Sequence, residues 1–382
     1  MVLSEDQKAL QETARRFARE RLLPDYQKRE KVGELDRGLL AEMGRIGLMG
    51  VDLPEAMGGL GASSVTTGLI AEELAYGDFN ISAVPVGISL NAAILLRHAA
   101  PEIVRQWVPR MIRGEAVVAI CLTEPRGGSD AGNLQLRARR EGDAYVVNGE
   151  KTSITFADRA DAYLFFARTG TPEQGAKGVS AFFISADTPG LSNAKFDDVG
   201  SAIIGRGSVF FDDVRVPASH MLGDEGKGFT QVMQGFDYSR ALIALQCCGA
   251  AQASLDEAWA YAKERIAFNR PIGQFQGVSF PLAEAESQIA AVRQLSYHAL
   301  ALRDAGLPHT SEAAMVKWMG PKSAFDAIHQ SLLTFGHYGW TKDLPHQQRM
   351  RDVMGLEIGD GTAGVMKLII ARGRIGRAAV QY

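Results

Sequence analysis

The chain contains little cysteine, no strong excess of charge of either sign and few histidines. Only three of its 382 residues are cysteine, and none forms a CxxC pair, so neither a disulfide framework nor a cysteine zinc site is indicated. The formal net charge of −3 gives no electrostatic basis for binding nucleic acid or an anionic membrane. The seven histidines show no metal-ligand spacing, and we therefore expect no metal site.

Long hydrophobic runs are also few. We expect that no segment approaches the length of a membrane span. The start, MVLSEDQKAL, is charged and unlike the apolar core of a signal peptide. Hydrophobic residues make up 46% and charged residues 22% of the chain, which is ordinary for a globular protein with a sizeable core. We expect a cytoplasmic protein in a reducing compartment.

Three regions differ in their periodicity. Residues 1–115 follow the helical period and begin with a capping-box pattern at Ser4 and Gln7. Residues 116–222 are short β-branched or aromatic runs typical of strands, with a hairpin turn predicted at Asn148-Gly149. Residues 223–382 return to the helical period, first in one very long run over residues 229–269, which predicts a helix bundle.

The segment Cys121–Asp130, CLTEPRGGSD, joins a predicted strand to a loop rich in small residues. Such a loop presents hydroxyls and free backbone N–H groups and allows a ligand to approach closely. The segment resembles the flavin-proximal loop, C-x-T-E-P-x-x-G-S-D, of the acyl-CoA dehydrogenases. Ten ordered positions are a far more specific signal than a lone glycine motif.

The resemblance to this family extends over nearly the whole chain. Further matching segments are NGEKTSIT (148–155), FFDDVRVP (210–217), LGDEGKGF (222–229), RIAFNRPIGQFQ (265–276) and FGHYG (335–339). The family resemblance implies an α+β fold with an N-terminal helical domain, a middle β-barrel-like domain and a C-terminal four-helix bundle. It also implies a homotetramer that binds FAD and passes electrons to an electron-transfer flavoprotein or a similar acceptor.

The resemblance also implies which residues contact the cofactor. Those around the flavin ring would be Leu122, Thr123, Gly128, Ser129, Ser153 and Thr155. Those reaching the FAD of a neighbouring subunit would be Arg265, Phe268 and Gln276, with His337 at the adenosine side and Thr362 after the catalytic loop. Hydroxyl and N–H groups suit a flavin, and arginine suits a pyrophosphate.

Four positions depart from the family's cofactor-binding pattern. Ser153 stands where the family usually has a tryptophan against the flavin. Leu333 replaces a glutamine and His337 a glycine near the adenosine, and Gly364 replaces a glutamine after Thr362. These departures bear on the detailed cofactor contacts.

The segment Arg351–Thr362, RDVMGLEIGDGT, resembles the family's R-D-x-x-x-x-x-I-Y-E-G-T. The glutamate that removes the substrate α-proton is here Asp360, while hydride leaves the β-carbon for flavin N5. Some members place the base on the long helix before an arginine, but that position is Ser239, which cannot act unaided. The alternative for Asp360 is a helix cap near Thr362.

The expected acyl-CoA contacts lie in four segments. They are Ser129, Asp237, Arg240, Gly359 and Gly361, with the apolar residues 84–95 lining the acyl pocket. Asp237 and Arg240 could instead form a structural ion pair.

The residues beside the base also bear on the substrate. A base one methylene shorter than glutamate, beside Gly359 in place of tyrosine, predicts room for a branched or alicyclic acyl group. This pattern leans toward the cyclohexanecarboxyl-CoA dehydrogenase-like members.

Three alternatives remain open at the level of the sequence. An acyl-carrier-protein-loaded dehydrogenase or a nitroalkane oxidase-like or monooxygenase flavoenzyme would keep the fold, and a non-catalytic flavoprotein would lack the chemistry. The string Gly359–Gly364, GDGTAG, spells G-x-G-x-x-G but follows no strand of a βαβ unit, so we reject a nicotinamide site.

Overall fold

Residues 2–379 are described by a computed structural model. The first region is helical. Its α-helices are α1 (Glu5–Phe17), α2 (Tyr26–Val32), α3 (Arg37–Arg45), α4 (Ser64–Gly77), α5 (Phe79–His98) and α6 (Pro101–Ile112). The predicted capping box at the start of α1 is present, since the Ser4 and Gln7 side chains each accept from the other's backbone N–H.

Helix α5 corrects one expectation drawn from the sequence. It has 20 residues and is long and apolar enough to cross a membrane by length and composition, so the statement that no segment approaches that length was wrong. Of its most apolar stretch, 78% is buried inside the fold. Packing between α4 and the C-terminal helices accounts for the apolar composition of α5.

The middle region forms an eight-stranded mixed sheet. Its strands are β1 (Val118–Cys121), β2 (Arg137–Glu141), β3 (Ala144–Ile154), β4 (Ala162–Arg168), β5 (Val179–Ser185), β6 (Leu191–Lys195), β7 (Gly207–Pro217) and β8 (Met221–Leu222). The spatial order is β6-β7-β3-β2-β4-β5-β8, and β1 pairs in parallel with β4. The end of β1 therefore lies in the sheet, and the loop after it projects from the sheet edge.

The predicted turn at Asn148-Gly149 was wrong. Both residues lie inside β3, where Gly149 pairs with Phe211 of β7, and the register shift between Val147 and Gly149 marks a bulge in β7. The turn between β2 and β3 falls instead at Gly142-Asp143, where Gly142 has a φ of 64°. An Asn-Gly pair predicts a turn from local preference alone, and pairing with β7 overrides that preference.

The last region is a helix bundle. Its elements are α7 (Gly228–Glu264), β9 (Ile266–Ala267), β10 (Arg270–Pro271), α8 (Gln276–Asp304), α9 (Thr310–Thr334), α10 (His346–Met354) and α11 (Ala363–Ile375). The first helix ends at Glu264 rather than at Asn269, and a two-stranded hairpin of β9 and β10 follows it. The hairpin turn, Phe268-Asn269, has positive φ at both residues, which a helix does not allow.

Two hydrophobic cores join the three regions. One combines N-terminal helices with the sheet, as in the edge-to-face contact of Trp107 and Phe183 at 5.3 Å. The other joins α4 and α5 to the C-terminal helices. Gly68 on α4 packs so closely that a Cβ there would lie 2.6 Å from Leu300 and 2.7 Å from Leu245. Helices α4 and α5 are thus the layer between the cores.

Asp352, at the end of α10, connects all three regions through hydrogen bonds. Its carboxylate accepts from the Tyr26 hydroxyl at 2.5 Å, the Asn80 amide at 2.9 Å and the Ser201 backbone N–H at 2.6 Å. Burial raises the pKa of Asp352 to about 7, against these hydrogen bonds. Asp352 is therefore a structural junction, and the loop that follows α10 starts from a fixed point.

Candidate functional site

The loop after β1 carries the first group of predicted cofactor residues. Leu122 is buried and Thr123 half-buried, whereas Gly128 and Ser129 are exposed. The Thr152 N–H on β3 donates to the Thr123 carbonyl at 2.9 Å. This bond brings the loop beside the end of β3, where Ser153 and Thr155 are exposed. The structure therefore brings together the residues that the sequence assigned to the flavin ring.

A buried ion pair lies beneath this loop, and the sequence analysis missed it. Lys151 on β3 is 0% exposed, and its ammonium donates to Glu124 at 2.7 Å and to the Leu122 carbonyl at 3.0 Å. Glu124 also accepts from the Gln135 and Leu136 backbone N–H groups. Burial lowers the pKa of Lys151 to about 8, with Glu124 opposing that shift. The pair fixes Leu122, Thr123 and Glu124 against the sheet.

Ser153, the position of the missing tryptophan, has a φ of 56° and is exposed. Its hydroxyl lies 3.3 Å from an Arg206 guanidinium nitrogen, which donates to it. Arg206 is also paired with Asp198 and lies over the Phe196 ring. An arginine therefore stands beside the place where the family carries an aromatic ring.

Helix α7 separates the predicted FAD contacts into two groups. Near its start, a Cβ on Gly132 would lie 3.8 Å from the Phe229 ring, so the loop after β1 passes beside the start of α7. The hairpin follows the other end, and α7 has 37 residues, a length of about 55 Å at roughly 1.5 Å per residue. Arg265 and the loop after β1 therefore lie near opposite ends of α7.

The second group lies at the far end of α7. Arg265, Phe268 and Gln276 are all exposed, and Phe268 keeps 89% of its surface accessible. His337 belongs to the same end, because nearby Phe335 stacks on Tyr261 of α7 at 4.3 Å. The structure does not bring these residues to the loop after β1, and they present apolar and cationic groups to the outside.

The predicted base lies in the loop between α10 and the N-cap of α11, which spans residues 355–361 and is called here the catalytic loop. Asp360 has a φ of 54°, in the left-handed region, and Gly361 follows with a φ of 103°. Thr362 is the N-cap of α11, and its hydroxyl accepts from the Val365 N–H at 3.4 Å. The capping role is filled by Thr362, so it does not explain the carboxylate of Asp360.

Two cations act on the Asp360 carboxylate. Burial raises its pKa, while Lys317 and Arg240 oppose that rise through their charges. No donor among residues 2–379 hydrogen-bonds the carboxylate oxygens. Asp360 is also half-buried rather than enclosed. The group is therefore free to accept a proton from a bound ligand.

Lys317 on α9 is the second functional candidate that the sequence did not reveal. It is 1% exposed, and its ammonium donates to the Leu356 carbonyl at 2.7 Å and the Gly361 carbonyl at 3.1 Å. Both acceptors belong to the catalytic loop. A lysine in a helical run is ordinarily a solvated surface charge, so no sequence pattern pointed to this position.

Asp237 and Arg240 form the ion pair that the sequence left as an alternative to CoA binding. Their charged groups lie 2.9 Å apart, and the Thr310 hydroxyl donates to the other Asp237 oxygen at 2.7 Å. The Arg240 Nε is buried without a partner among the described residues. A Cβ on Gly361 would lie 3.9 Å from Arg240, so this pair borders the catalytic loop.

Two further positions bear on the substrate. Ser239 is buried and donates to the Phe236 carbonyl, so it offers no base. A Cβ on Gly359 would meet only ordinary contacts, at 3.5 Å to the Gly355 carbonyl and 3.7 Å to Leu356. There is space beside the predicted base that a side chain at residue 359 would occupy.

Comparison with known proteins identifies the family. Models described as the N-terminal, middle and C-terminal domains of acyl-CoA dehydrogenase match residues 4–115, 119–214 and 226–375. The chain belongs to the acyl-CoA dehydrogenase family. It is 36% identical over 373 residues to the probable acyl-CoA dehydrogenase YngJ of Bacillus subtilis, covering 97% of this chain and 98% of the relative.

Solved structures agree with this assignment to the acyl-CoA dehydrogenases. Butyryl-CoA dehydrogenase from Megasphaera elsdenii superposes with a TM-score of 0.94 at 32% identity, over 98% of this chain and 99% of that one. A structure of PigA with FAD and proline has a TM-score of 0.94 at 28% identity, over 99% of each chain. The predicted family and fold are confirmed, and the protein is an oxidoreductase of a flavoprotein family. The residue roles stay predictions.

Proposed function

We propose that this protein is an FAD-dependent dehydrogenase that introduces an α,β double bond into an acyl-CoA thioester, with Asp360 as the base. The observation that supports it is the Asp360 carboxylate, which accepts no hydrogen bond within residues 2–379 and has its pKa raised by burial. A thioester α-C–H is weakly acidic, so a carboxylate with a raised pKa is the better base. Asp360 takes the α-proton.

FAD fits the residues of the loop after β1. That loop and the end of β3 offer exposed hydroxyls at Ser129 and Thr155 and small residues that allow close approach. These groups suit the polar edge of a flavin, and a protein of the same fold has been solved with FAD. When bound, the flavin supplies the acceptor for the hydride that leaves the β-carbon.

A second copy of the chain completes the cofactor site in this proposal. Arg265, Phe268 and Gln276 lie beyond the far end of α7, about 55 Å from its start. A hairpin that exposes an arginine and a phenylalanine has the chemistry to bind the pyrophosphate of another subunit's FAD. We therefore propose a homotetramer that passes electrons to an electron-transfer flavoprotein or a similar acceptor.

The CoA end of the substrate falls to Asp237 and Arg240. The ion pair seen between them leaves the Arg240 Nε without a partner among the described residues. A phosphate- or amide-bearing ligand gives such a group an acceptor. The backbone N–H of Asp360 or Gly361 is available to stabilise charge that develops on the thioester oxygen.

The acyl group is proposed to be branched or alicyclic. Gly359 leaves open space beside the base, and an aspartate retracts the carboxylate by one methylene relative to glutamate. Variants Gly359→Tyr and Asp360→Glu restore the family residues. We expect the double variant to shift preference from cyclohexanecarboxyl-CoA toward butyryl-CoA, because about 1 Å of misplacement costs up to 10²-fold. A wild-type preference for butyryl-CoA would reject the wide-pocket hypothesis.

The decisive experiment is anaerobic bleaching of the purified flavoprotein. Cyclohexanecarboxyl-CoA, butyryl-CoA, the corresponding acyl-carrier-protein thioester and a nitroalkane are each mixed with the enzyme. We expect bleaching by a CoA thioester and an enoyl-CoA product by mass. Bleaching by the nitroalkane or only by the carrier-protein thioester would favour the alternatives, which the names of the relatives do not favour.

A further inference from the structure

We propose that Lys317 is a positioning residue for the reaction, which holds the catalytic loop in its active conformation and supplies the positive field that keeps Asp360 ionised. The inference rests on the proposed role of Asp360 as the base. It adds a residue on α9, distant in sequence from the loop, whose charge and hydrogen bonds act through Asp360 rather than on the substrate.

The first support is the geometry of the lysine bonds. The Lys317 ammonium donates to the Leu356 carbonyl at 2.7 Å and to the Gly361 carbonyl at 3.1 Å. These acceptors lie on either side of Asp360 along the chain. One buried donor therefore connects both halves of the catalytic loop and fixes the peptide next to the base.

The second support is the strained backbone that these bonds hold. Asp360 has a φ of 54°, although it is not glycine, and such a conformation persists only where its surroundings over-determine it. Gly361 has a φ of 103°, and a Cβ there would lie 2.4 Å from Met366. Thr362 caps α11 immediately afterwards. The loop is held by Lys317 on one side and by α11 on the other.

The third support is the distribution of charge around the carboxylate. Arg240 is paired with Asp237 at 2.9 Å, whereas Lys317 is bonded to neutral carbonyls. Besides Asp360, the charged or titratable groups that act on Lys317 are Cys247 and Arg240 of α7 and Glu357 of the loop itself. The charge of Lys317 lowers the pKa of Asp360 more than the charge of Arg240 does. The lysine is therefore the main cation that opposes burial at the base.

A positioning role differs from a purely structural one in what it changes. A lysine that only holds the loop would alter stability and flavin content together with activity. A lysine that also sets the charge of Asp360 alters the pH at which the base ionises. Because the lysine favours the carboxylate, its removal raises the pKa of Asp360 and moves the acid limb of kcat/KM to higher pH.

The test compares Lys317→Met and Lys317→Gln with the wild type over the full pH range. Methionine removes both bonds and the charge, whereas glutamine keeps an amide donor for the carbonyls without the charge. We expect both to shift the acid limb to higher pH, with methionine lowering kcat by about 10²-fold through misplacement of the base and glutamine by less. Lys322→Met, an exposed lysine on the same helix, is the control and should match the wild type.

The outcomes separate this inference from the proposed function. If Asp360→Asn retains wild-type turnover, Asp360 is not the base and the proposed function fails. If Asp360→Asn is inactive but both Lys317 variants give a pH profile superimposable on the wild type, only the role of Lys317 is overturned. Flavin content is measured in every variant. If the neutral variants do not fold, Lys317→Arg takes their place: it keeps the charge and should leave the acid limb near its wild-type position.

Discussion

Two buried lysines support two loops of this protein, and they differ in what their charges meet. Lys151 lies beneath the loop after β1 and is paired with Glu124 at 2.7 Å. Lys317 lies beneath the catalytic loop and donates to two carbonyls. The charge of Lys151 is cancelled at contact distance, whereas that of Lys317 extends to Asp360. A buried lysine beneath a loop therefore has a structural role at Lys151 and, in our proposal, an electrostatic role at Lys317.

The difference also appears in how a carboxylate opposes the pKa shift of each lysine. Burial lowers the pKa of both lysines, and a carboxylate opposes the shift in each case. For Lys151 that carboxylate is a hydrogen-bonded partner, while for Lys317 it is Asp360, which acts across space. A charge without a bonded counter-ion is the arrangement that can tune a catalytic neighbour.

The largest expected loss of stability follows from replacing Lys151. We expect Lys151→Met to lower the free energy of unfolding by about 3–5 kcal/mol, because Glu124 is then buried without its cation. Urea unfolding measures the loss, and the ratio of bound flavin to protein should fall with it. A variant as stable as Lys322→Met would contradict the structural role of the pair.

Lys317→Met should cost less stability than Lys151→Met. It leaves the Leu356 and Gly361 carbonyls without a donor but strands no charge of opposite sign at contact distance, for a loss of about 1–3 kcal/mol. The same urea titrations give both values under one condition. If the two variants lose equal stability, the proposed distinction between the two lysines is wrong.

A third expected effect is the pH dependence of stability that Lys151 contributes. Its pKa is about 8 in the folded chain, against an ordinary value of 10.5 for a lysine in water. Between these values the unfolded chain binds the proton more strongly, so the free energy of unfolding rises with pH, by at most about 1.4 kcal/mol per pH unit. The difference between wild type and Lys151→Met should therefore grow from pH 8 upward, and a constant difference would contradict it.

The sequence predicted well what short ordered motifs carry. The loop Cys121–Asp130 and the end of β3 come together as their resemblance implied, and the Ser4 capping box is present. Such features depend on neighbouring residues and on glycine, proline and hydroxyl chemistry, which a single sequence displays directly. The family and the layout of the fold followed from them.

The rest depended on contacts between distant segments. Asn148-Gly149 was predicted as a turn because its pairing with β7 is invisible in the local sequence. No local pattern indicated that Lys151 and Lys317 are buried, since only the packing of β3 and α9 beneath their loops reveals it. The sequence pattern did not reveal that α5 is long and apolar enough to cross a membrane, nor that most of its apolar stretch is buried inside the fold. Long-range pairing and burial are what sequence periodicity leaves unspecified.

The most direct test of Asp360 as the base is rapid anaerobic mixing of the flavoprotein with an acyl-CoA substrate, comparing wild type with Asp360→Asn at equal flavin content. The visible absorbance of the flavin is followed after mixing. We predict that the wild type bleaches and that the variant bleaches about 10²–10⁴-fold more slowly, because the α-proton has no acceptor. Equal rates in the two proteins would contradict the mechanism.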